Sequence, residues 1–242
     1  MNSFNGRTIL VTGAAGGIGG ATVRHLVAAG ADVIAADHPS ADLAPITDST
    51  GARALPFDLE SEEDVRAAIE GLDLYGLVNC AGWGGVVTPL IEADIDVFDR
   101  VLRINTRGTL LVTKYAAKEM IRCGRGGSIV NVSSQAGLVA LTGHASYAAS
   151  KSGVDSITRV AALELGTHGI RVNSVSPTVV MTPMSASYWG LPEIEGPFLE
   201  AMPLHRWATE DDIAAPITFL LGDGASMITG VTLPVDGGYS SR

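Results

Sequence analysis

The stretch "HASYAASKSG" (144–153) sets a phenol, Tyr147, and an ammonium, Lys151, four residues apart among small side chains. On a helix, positions i and i+4 share a face. An ammonium beside a phenol favours the phenolate. A phenol poised that way can give a proton to a ketone or take one from an alcohol. Thirteen residues before Tyr147, in "SIVNVSSQAG", stands Ser134, whose hydroxyl could hydrogen-bond a substrate oxygen, with Ser133 as its neighbouring competitor. The spacing of Tyr147 and Lys151 alone also fits a surface helix carrying a harmless pair, so the rest of the chain has to decide.

Such a helix and such a serine need a frame. Short apolar runs at 7–12, 32–36, 53–57, 75–80, 128–133, 170–175 and 231–235 alternate with helical patterns at 17–30, 61–70, 95–122, 145–168 and 209–221. The central runs are apolar throughout, as strands buried on both faces are. The alternation predicts an α/β, Rossmann-type doubly wound parallel sheet of about seven strands, with helices on both faces and one domain over 1–242. The segment 178–208 breaks the rhythm with Pro183, Pro192, Pro197 and Pro203, and reads as a lid over a pocket or as a loop packed on a second subunit.

"VTGAAGGIGGA" follows the first strand and opens a helix. Gly13, Gly17 and Gly19 can serve a tight turn, close backbone approach to a pyrophosphate, and close helix–strand packing. Gly13, Gly16 and Gly19 fit a related spacing equally well. The helix start offers free N–H groups and a positive dipole end to phosphates. Eighteen residues past Gly19, Asp37 ends the second strand. A carboxylate there accepts hydrogen bonds from ribose hydroxyls and repels a 2′-phosphate, and no Arg or Lys stands in 14–18 or directly after it. NAD is therefore the expected cofactor. Asp58 and Leu59, after the third strand, could meet the adenine edge.

With 26 acidic and 16 basic residues the net charge is −10, a poor match for nucleic acid or an anionic membrane. Hydrophobic residues reach 46% and charged ones only 17%, so part of the surface is expected to meet another subunit. Cys80 and Cys123 make no disulfide framework, no apolar run is long enough for a membrane helix, and "MNSFNGRTILVTG" goes almost at once into a strand. A cytoplasmic location is the expectation. The five histidines are scattered without ligand spacing, so no metal is expected.

Together these features resemble the short-chain dehydrogenase/reductase family, in its compact single-domain branch. The resemblance spans nearly the whole chain: "TGAAGGIG", "NCAG" (79–82), "IN" (104–105), "VNVSS" (130–134), "YAASK" (147–151), "RVNSVSP" (171–177) and "VDGGY" (235–239). It implies a reaction in which nicotinamide C4 exchanges a hydride with a carbinol carbon. Ser134 would orient the substrate oxygen and Tyr147 would be the general acid/base. Lys151 would tune Tyr147 and bind the nicotinamide ribose, and Asn105 would hold a water linking Lys151 to solvent. Cofactor contacts are implied for Gly13, Gly17, Ile18, Gly19, Asp37, Asp58, Leu59, Asn79, Ala81, Gly82, Tyr147, Lys151, Pro177, Val180 and Thr182. Members pair the helices at 95–122 and 145–168 across a two-fold axis, so a homo-oligomer, tetramer or dimer, is implied. Two departures stand out. Cys80 replaces the second Asn of the usual NNAG, and Thr178 replaces the glycine that usually follows Pro177.

The expected substrate is a small, moderately hydrophobic secondary alcohol or its ketone, met by Trp83, Gln135, Val139, His144, Met184, Tyr188 and Trp189. A 3-oxoacyl-(acyl carrier protein) reductase is the alternative. Asp37 and the net charge oppose it, and Arg125 is the one cation that could serve a carrier-binding patch. A non-catalytic dinucleotide-binding sensor or structural protein is the alternative of another class. Intact Ser134, Tyr147, Lys151 and Asn105 oppose that one.

Overall fold

The computed structural model describes residues 4–182, 185 and 188–241. Seven parallel strands form one sheet in the order β3-β2-β1-β4-β5-β6-β7. They are β1 (Thr8–Thr12), β2 (Asp32–Asp37), β3 (Arg53–Pro56), β4 (Gly76–Asn79), β5 (Gly127–Val132), β6 (Ile170–Pro177) and β7 (Thr232–Val235). All seven expected strands form. The order reverses between β1 and β4, and in such sheets the crevice outside the carboxyl ends at that reversal is where ligands bind.

The helices cover both faces. They are α1 (Gly17–Ala28), α2 (Ala44–Thr50), α3 (Glu62–Ile69), α4 (Ile95–Leu102), α5 (Gly108–Cys123), α6 (Ala145–Leu165), α7 (Pro192–Ala201) and α8 (Glu210–Leu221). Alternate strand residues point to opposite faces. On one side Ile9, Val11, Val33 and Val78 pack with Val23 and Leu26 of α1 and Ile213 and Ile217 of α8. On the other, Leu10, Ile34, Leu77 and Ile129 pack with Val65 of α3, Val112 and Met120 of α5, and Ala161 of α6. Two cores on one sheet explain why the central strands are apolar at every position.

The structure differs from the sequence expectation in three places. The single helix expected over 95–122 is divided by a π-helical turn, Arg103–Arg107, which carries Asn105. Such turns are rare and recur at functional sites. The short helix α2 carries little apolar periodicity, and only its Ile46 is buried. The helix α7 lies inside the expected lid and starts on Pro192, a residue pre-set for a first helical turn.

The helix starts are not alike. Ser61 caps α3 by accepting from Asp64 N at 3.2 Å, and Thr209 with Asp212 forms a capping box on α8. Gly16, at the start of α1, offers no side-chain cap. The first amides of α1 are thus left for something other than a side chain of its own first turn.

Candidate active site

The glycine turn is built by crowding. Gly13 ends β1 with φ +69°, and a β-carbon there would lie 2.7 Å from Ala81 N. A β-carbon on Gly19 would lie 2.0 Å from the Gly13 carbonyl oxygen. One on Gly17 would meet Thr182 Cγ2 at 2.8 Å and Glu210 Oε1 at 3.0 Å, whereas Gly16 is tight only against Gly13 O, at 3.3 Å. Of the two spacings the sequence allowed, Gly13, Gly17 and Gly19 are the trio with the least space for a side chain. Ile18 is partly buried against the α1 side of the core.

Asp37 holds this turn from β2. Its Oδ2 accepts from Ala15 N at 2.9 Å and its Oδ1 from His38 N at 2.8 Å. With Gly13, Phe57, Asp58 and Leu59 it lines a cavity of about 450 Å³ that runs on to Ala81, Gly82, Trp83 and Arg100. Trp83 was expected at the substrate end. It lines this cavity, with the Arg100 guanidinium 5.3 Å from its ring centre. Thr12 ties β1 to the loop after β4, its Oγ1 accepting from Cys80 N at 3.1 Å and Ala81 N at 3.2 Å. The Asn79 side chain is engaged inside the sheet, where it donates to Thr113 Oγ1 at 3.0 Å and Asn131 Oδ1 at 2.8 Å. Burial pushes the Cys80 thiol up to about 12, which leaves it protonated and without nucleophilic character.

The reactive constellation joins α6 to the end of β5. The buried Lys151 Nζ donates to Val132 O at 2.8 Å and lies 5.6 Å from the centre of the half-buried Tyr147 ring. A β-carbon on Gly82 would come within 3.5 Å of that Nζ and 3.2 Å of Asn105 Oδ1. Asn105 is buried with its amide engaged on both ends. It accepts from Trp83 N at 2.8 Å and donates to Trp83 O at 2.9 Å and Ser150 Oγ at 3.0 Å. The side chain therefore locks the 82–83 loop. Ser133 and Ser134 separate clearly. Ser133 is buried and donates to Lys151 O at 3.1 Å, while Ser134 is half-buried at the head of the 3₁₀ turn Gln135–Gly137, where its Oγ accepts from Ala136 N at 3.2 Å.

Beyond Tyr147 stands an aromatic wall. His144 stacks on Trp189 at 5.5 Å and meets Tyr188 edge-on at 5.9 Å, and Trp189 continues to Phe198 of α7 at 4.8 Å. His144 Nδ1 pairs with Thr142 O at 2.8 Å. A carbonyl only accepts, so Nδ1 is the donor in this pair. Gln135 is buried, and neither end of its amide has a hydrogen-bond partner among the described residues. Val139 is half-buried just past the same turn, and Met184 lies outside the described residues. Thr178 imposes no left-handed strain, since His205 is the only non-glycine with positive φ among the described residues. Its N–H donates to Val235 O at 3.1 Å, extending the β6–β7 pairing past Pro177. Close by, Val180 bridges to Ala208 and Thr182 N donates to Ser185 Oγ at 2.9 Å. Arg125, the cation considered for a carrier patch, is paired with Asp73. Among the described residues no cluster of three His, Cys, Asp or Glu side chains could hold a metal, and no helix is long and apolar enough to cross a membrane.

A parallel sheet with a glycine turn at its reversal point, and Tyr147 and Lys151 on a helix that packs on the turn headed by Ser134, fit a dinucleotide-dependent oxidoreductase. The family model described as enoyl-(acyl carrier protein) reductase matches residues 13–240. The L-xylulose reductase of Bos taurus is 40% identical over 235 residues, covering 97% of this chain and 96% of that protein. The D-erythrulose reductase of Gallus gallus is 40% identical over 238 residues, covering 98% and 97%. A solved short-chain type dehydrogenase/reductase from Mycobacterium ulcerans superposes with a TM-score of 0.95 at 35% identity, covering 99% of this chain and 92% of that one. The chain belongs to the short-chain dehydrogenase/reductase family. It is an enzyme of that family, an oxidoreductase interconverting a secondary alcohol and its ketone with a nicotinamide dinucleotide.

Proposed function

We propose that the enzyme is NAD-preferring and acts on a short secondary alcohol, or its ketone, that carries a further hydroxyl close to the reacting carbon. The observation that carries the cofactor half is Asp37, which sits in the groove beside the glycine turn with its carboxylate fixed by two backbone N–H groups. A fixed carboxylate can still accept from ribose hydroxyls, and it disfavours a phosphate in their place. The groove fits a dinucleotide: Gly13 and Gly19 let the turn fold tightly against Ala81 and on itself, α1 starts without a side-chain cap, and Asp58, Leu59, Ala81 and Gly82 border the same cavity. Pro177, Val180 and Thr182 would hold the carboxamide end, and Lys151 the nicotinamide ribose. When bound, the nicotinamide supplies or accepts the hydride.

The protein's own part is proton transfer and orientation. Ser134 donates to the substrate oxygen. In reduction Tyr147 gives that oxygen its phenolic proton as the hydride reaches carbon; in oxidation it takes the proton back. Lys151, held to Val132 O, places its Nζ 5.6 Å from the centre of the Tyr147 ring, on the same helix face as the phenol that transfers the proton. Asn105 braces the loop between the cofactor cavity and Lys151, so a water serving as relay would meet its backbone rather than its engaged amide.

The extra hydroxyl on the substrate is supported by Gln135. A buried amide with both ends open costs free energy unless something polar meets it. The relatives named for reductases of L-xylulose and D-erythrulose support the same choice. The wall of His144, Tyr188 and Trp189 keeps one flank apolar and the substrate small, and 178–208, with α7 in it, acts as the lid. We assign the enzyme to the cytoplasm, as a homotetramer built on α5 and α6. That assembly is supported by exposed Leu110 on α5 and Val160 and Leu163 on α6.

The test is a panel of short hydroxyketones, plain ketones and the matching alcohols, each assayed with NAD(H) and NADP(H) by absorbance of the reduced cofactor. Hydroxyketones with NADH should turn over best. A preference for NADPH sinks the Asp37 argument, and a preference for plain ketones sinks the Gln135 argument.

A further inference from the structure

Asp155 is a buried carboxylate for which proton transfer and cofactor binding leave no task. It stands four residues past Lys151 and eight past Tyr147, on successive turns of α6. It is 3% exposed. Its Oδ1 accepts from Ser174 Oγ of β6 at 2.9 Å, and Ser174 Oγ in turn bonds Thr232 Oγ1 of β7 at 2.9 Å. Its Oδ2 has no hydrogen-bond partner and faces the 3₁₀ turn that Ser134 heads: a β-carbon on Gly137 would lie 3.0 Å from Oδ2 and 3.1 Å from the carbonyl carbon of Lys151. Ser133, one residue before Ser134, acts on the same carboxyl group while donating to Lys151 O at 3.1 Å.

The placement is hard to explain as packing alone. An apolar residue would fill the same space between α6 and β6 without the cost of burying a carboxyl. The carboxyl contacts three elements at once: the helix that bears Tyr147 and Lys151, the strand β6, and the turn that bears Ser134. Gly137 brings that turn close against α6, where this carboxyl, the Lys151 carbonyl carbon and Ser152 N are the nearest atoms and Ser152 Oγ donates to Gly137 O at 3.0 Å. A hydride-transfer site needs its two oxygen-binding groups at one fixed separation, and a shift of about 1 Å in such a constellation can cost ~100-fold in rate.

We propose that Asp155 is a positioning residue, which fixes the separation between Ser134 and Tyr147 by holding the serine-bearing turn against α6. It touches neither substrate nor cofactor. Burial pushes its carboxyl up from the ordinary range, against the opposing influence of Ser133, Ser174 and Thr232. The role proposed is one of shape and contact, so a side chain of the same shape that keeps the acceptor for Ser174 should do the work. The proposal rests on the reading that Ser134 and Tyr147 both act on the substrate oxygen.

The experiment compares Asp155→Leu, which keeps volume and removes polarity, with Asp155→Asn, which keeps the acceptor for Ser174 and cannot ionise. For each, kcat, KM and the NADH dissociation constant from bound-NADH fluorescence are measured on the full-length protein. Asp155→Leu should lower kcat about 10- to 100-fold with NADH affinity within about twofold of the unchanged enzyme, and Asp155→Asn should recover kcat to within about threefold. Full turnover in Asp155→Leu, or no recovery in Asp155→Asn, overturns the proposal. Should Asp155→Leu not fold, Ser133→Ala takes its place. It removes one hydroxyl from the same contact and should lower kcat with NADH affinity kept, and unchanged kcat overturns the proposal. Ser134→Ala separates the two levels. If it keeps full turnover, the reading of Ser134 fails; if it loses turnover while the Asp155 variants do not, only the positioning role fails.

Discussion

Lys151 Nζ donates to the carbonyl of Val132, the last residue of β5, at 2.8 Å. The ammonium on α6 is thereby tied to the strand that leads, two residues on, to Ser134. Lys151→Met removes this tie, the charge beside Tyr147 and the proposed ribose contact together. It should lower kcat/KM and also weaken NADH binding. Tyr147→Phe removes only the phenolic hydroxyl. It should leave NADH binding within about twofold and cut kcat by at least ~100-fold, the usual range for a lost general acid. Retained turnover in Tyr147→Phe would remove tyrosine from the mechanism.

Asp37→Ala takes away the carboxylate that meets Ala15 N and His38 N. The ratio of kcat/KM for NAD over NADP should fall by about 10-fold or more, each factor of ten corresponding to ~1.4 kcal/mol. A ratio that stays constant would mean that discrimination resides elsewhere in the groove.

Gly19→Ala would force a β-carbon to within 2.0 Å of Gly13 O, a backbone atom that cannot swing aside. The turn must open, so NADH affinity should drop by at least ~10-fold, and the melting temperature should fall with it. Gly196→Ala, in α7, has nothing within 4 Å of the new carbon and should leave both quantities near their starting values. Equal behaviour of the two variants would show that crowding at Gly19 is relieved at little cost.

Arg206 pairs with Asp212 at the start of α8 through two contacts, at 2.6 and 2.9 Å. Those contacts, aided by Thr209 N–H, hold the Asp212 carboxyl far below the usual carboxylate range. A carboxyl lowered in the folded state contributes stability above its unfolded value, near 4, and loses it as pH falls toward its folded value. Since the pair is partly exposed, Arg206→Leu should lower the melting temperature by only about 2–4 °C at pH 7. The gap should narrow as pH drops from about 5 toward 2, which thermal melts of both proteins across that range would check.

Leu163 is 82% exposed and Val160, one turn away on α6, is 52% exposed. If α6 is covered by a second copy, Leu163→Asp should shift the species seen by light scattering toward smaller assemblies. An unchanged mass would move the interface off this face.

Much of the site was legible because it is local. The i, i+4 spacing of Tyr147 and Lys151 survives as one face of α6, since helical period alone dictates it. The glycine trio follows a strand and opens a helix in sequence as in space. Strands apolar at every position announced a sheet covered on both sides, because each face needs its own core. Asp155 obeys the same local rule, four residues past Lys151, and was missed because a lone Asp on a helix usually faces water.

What sequence could not settle were contacts between segments far apart along the chain. Ser133 and Ser134 are the same residue type one position apart, and only the packing of α6 on β5 decides that Ser133 meets the Lys151 carbonyl while Ser134 heads the adjoining turn. Trp83 read as a substrate contact from its position alone, and only the fold shows that Asn105, 22 residues later, fixes its backbone beside the cavity that Asp37 lines. The π-helical turn around Asn105 and the unpartnered amide of Gln135 likewise arise from tertiary packing. The sequence by itself determined the fold class, the glycine turn between β1 and α1 and the shared helix face of Tyr147 and Lys151, because period and adjacency are properties of a single segment. Which hydroxyl meets the Lys151 carbonyl, which aromatic lines which cavity, and which carboxyl lies buried beside the turn were decided only when the segments packed, because each depends on pairs of residues whose proximity no spacing records.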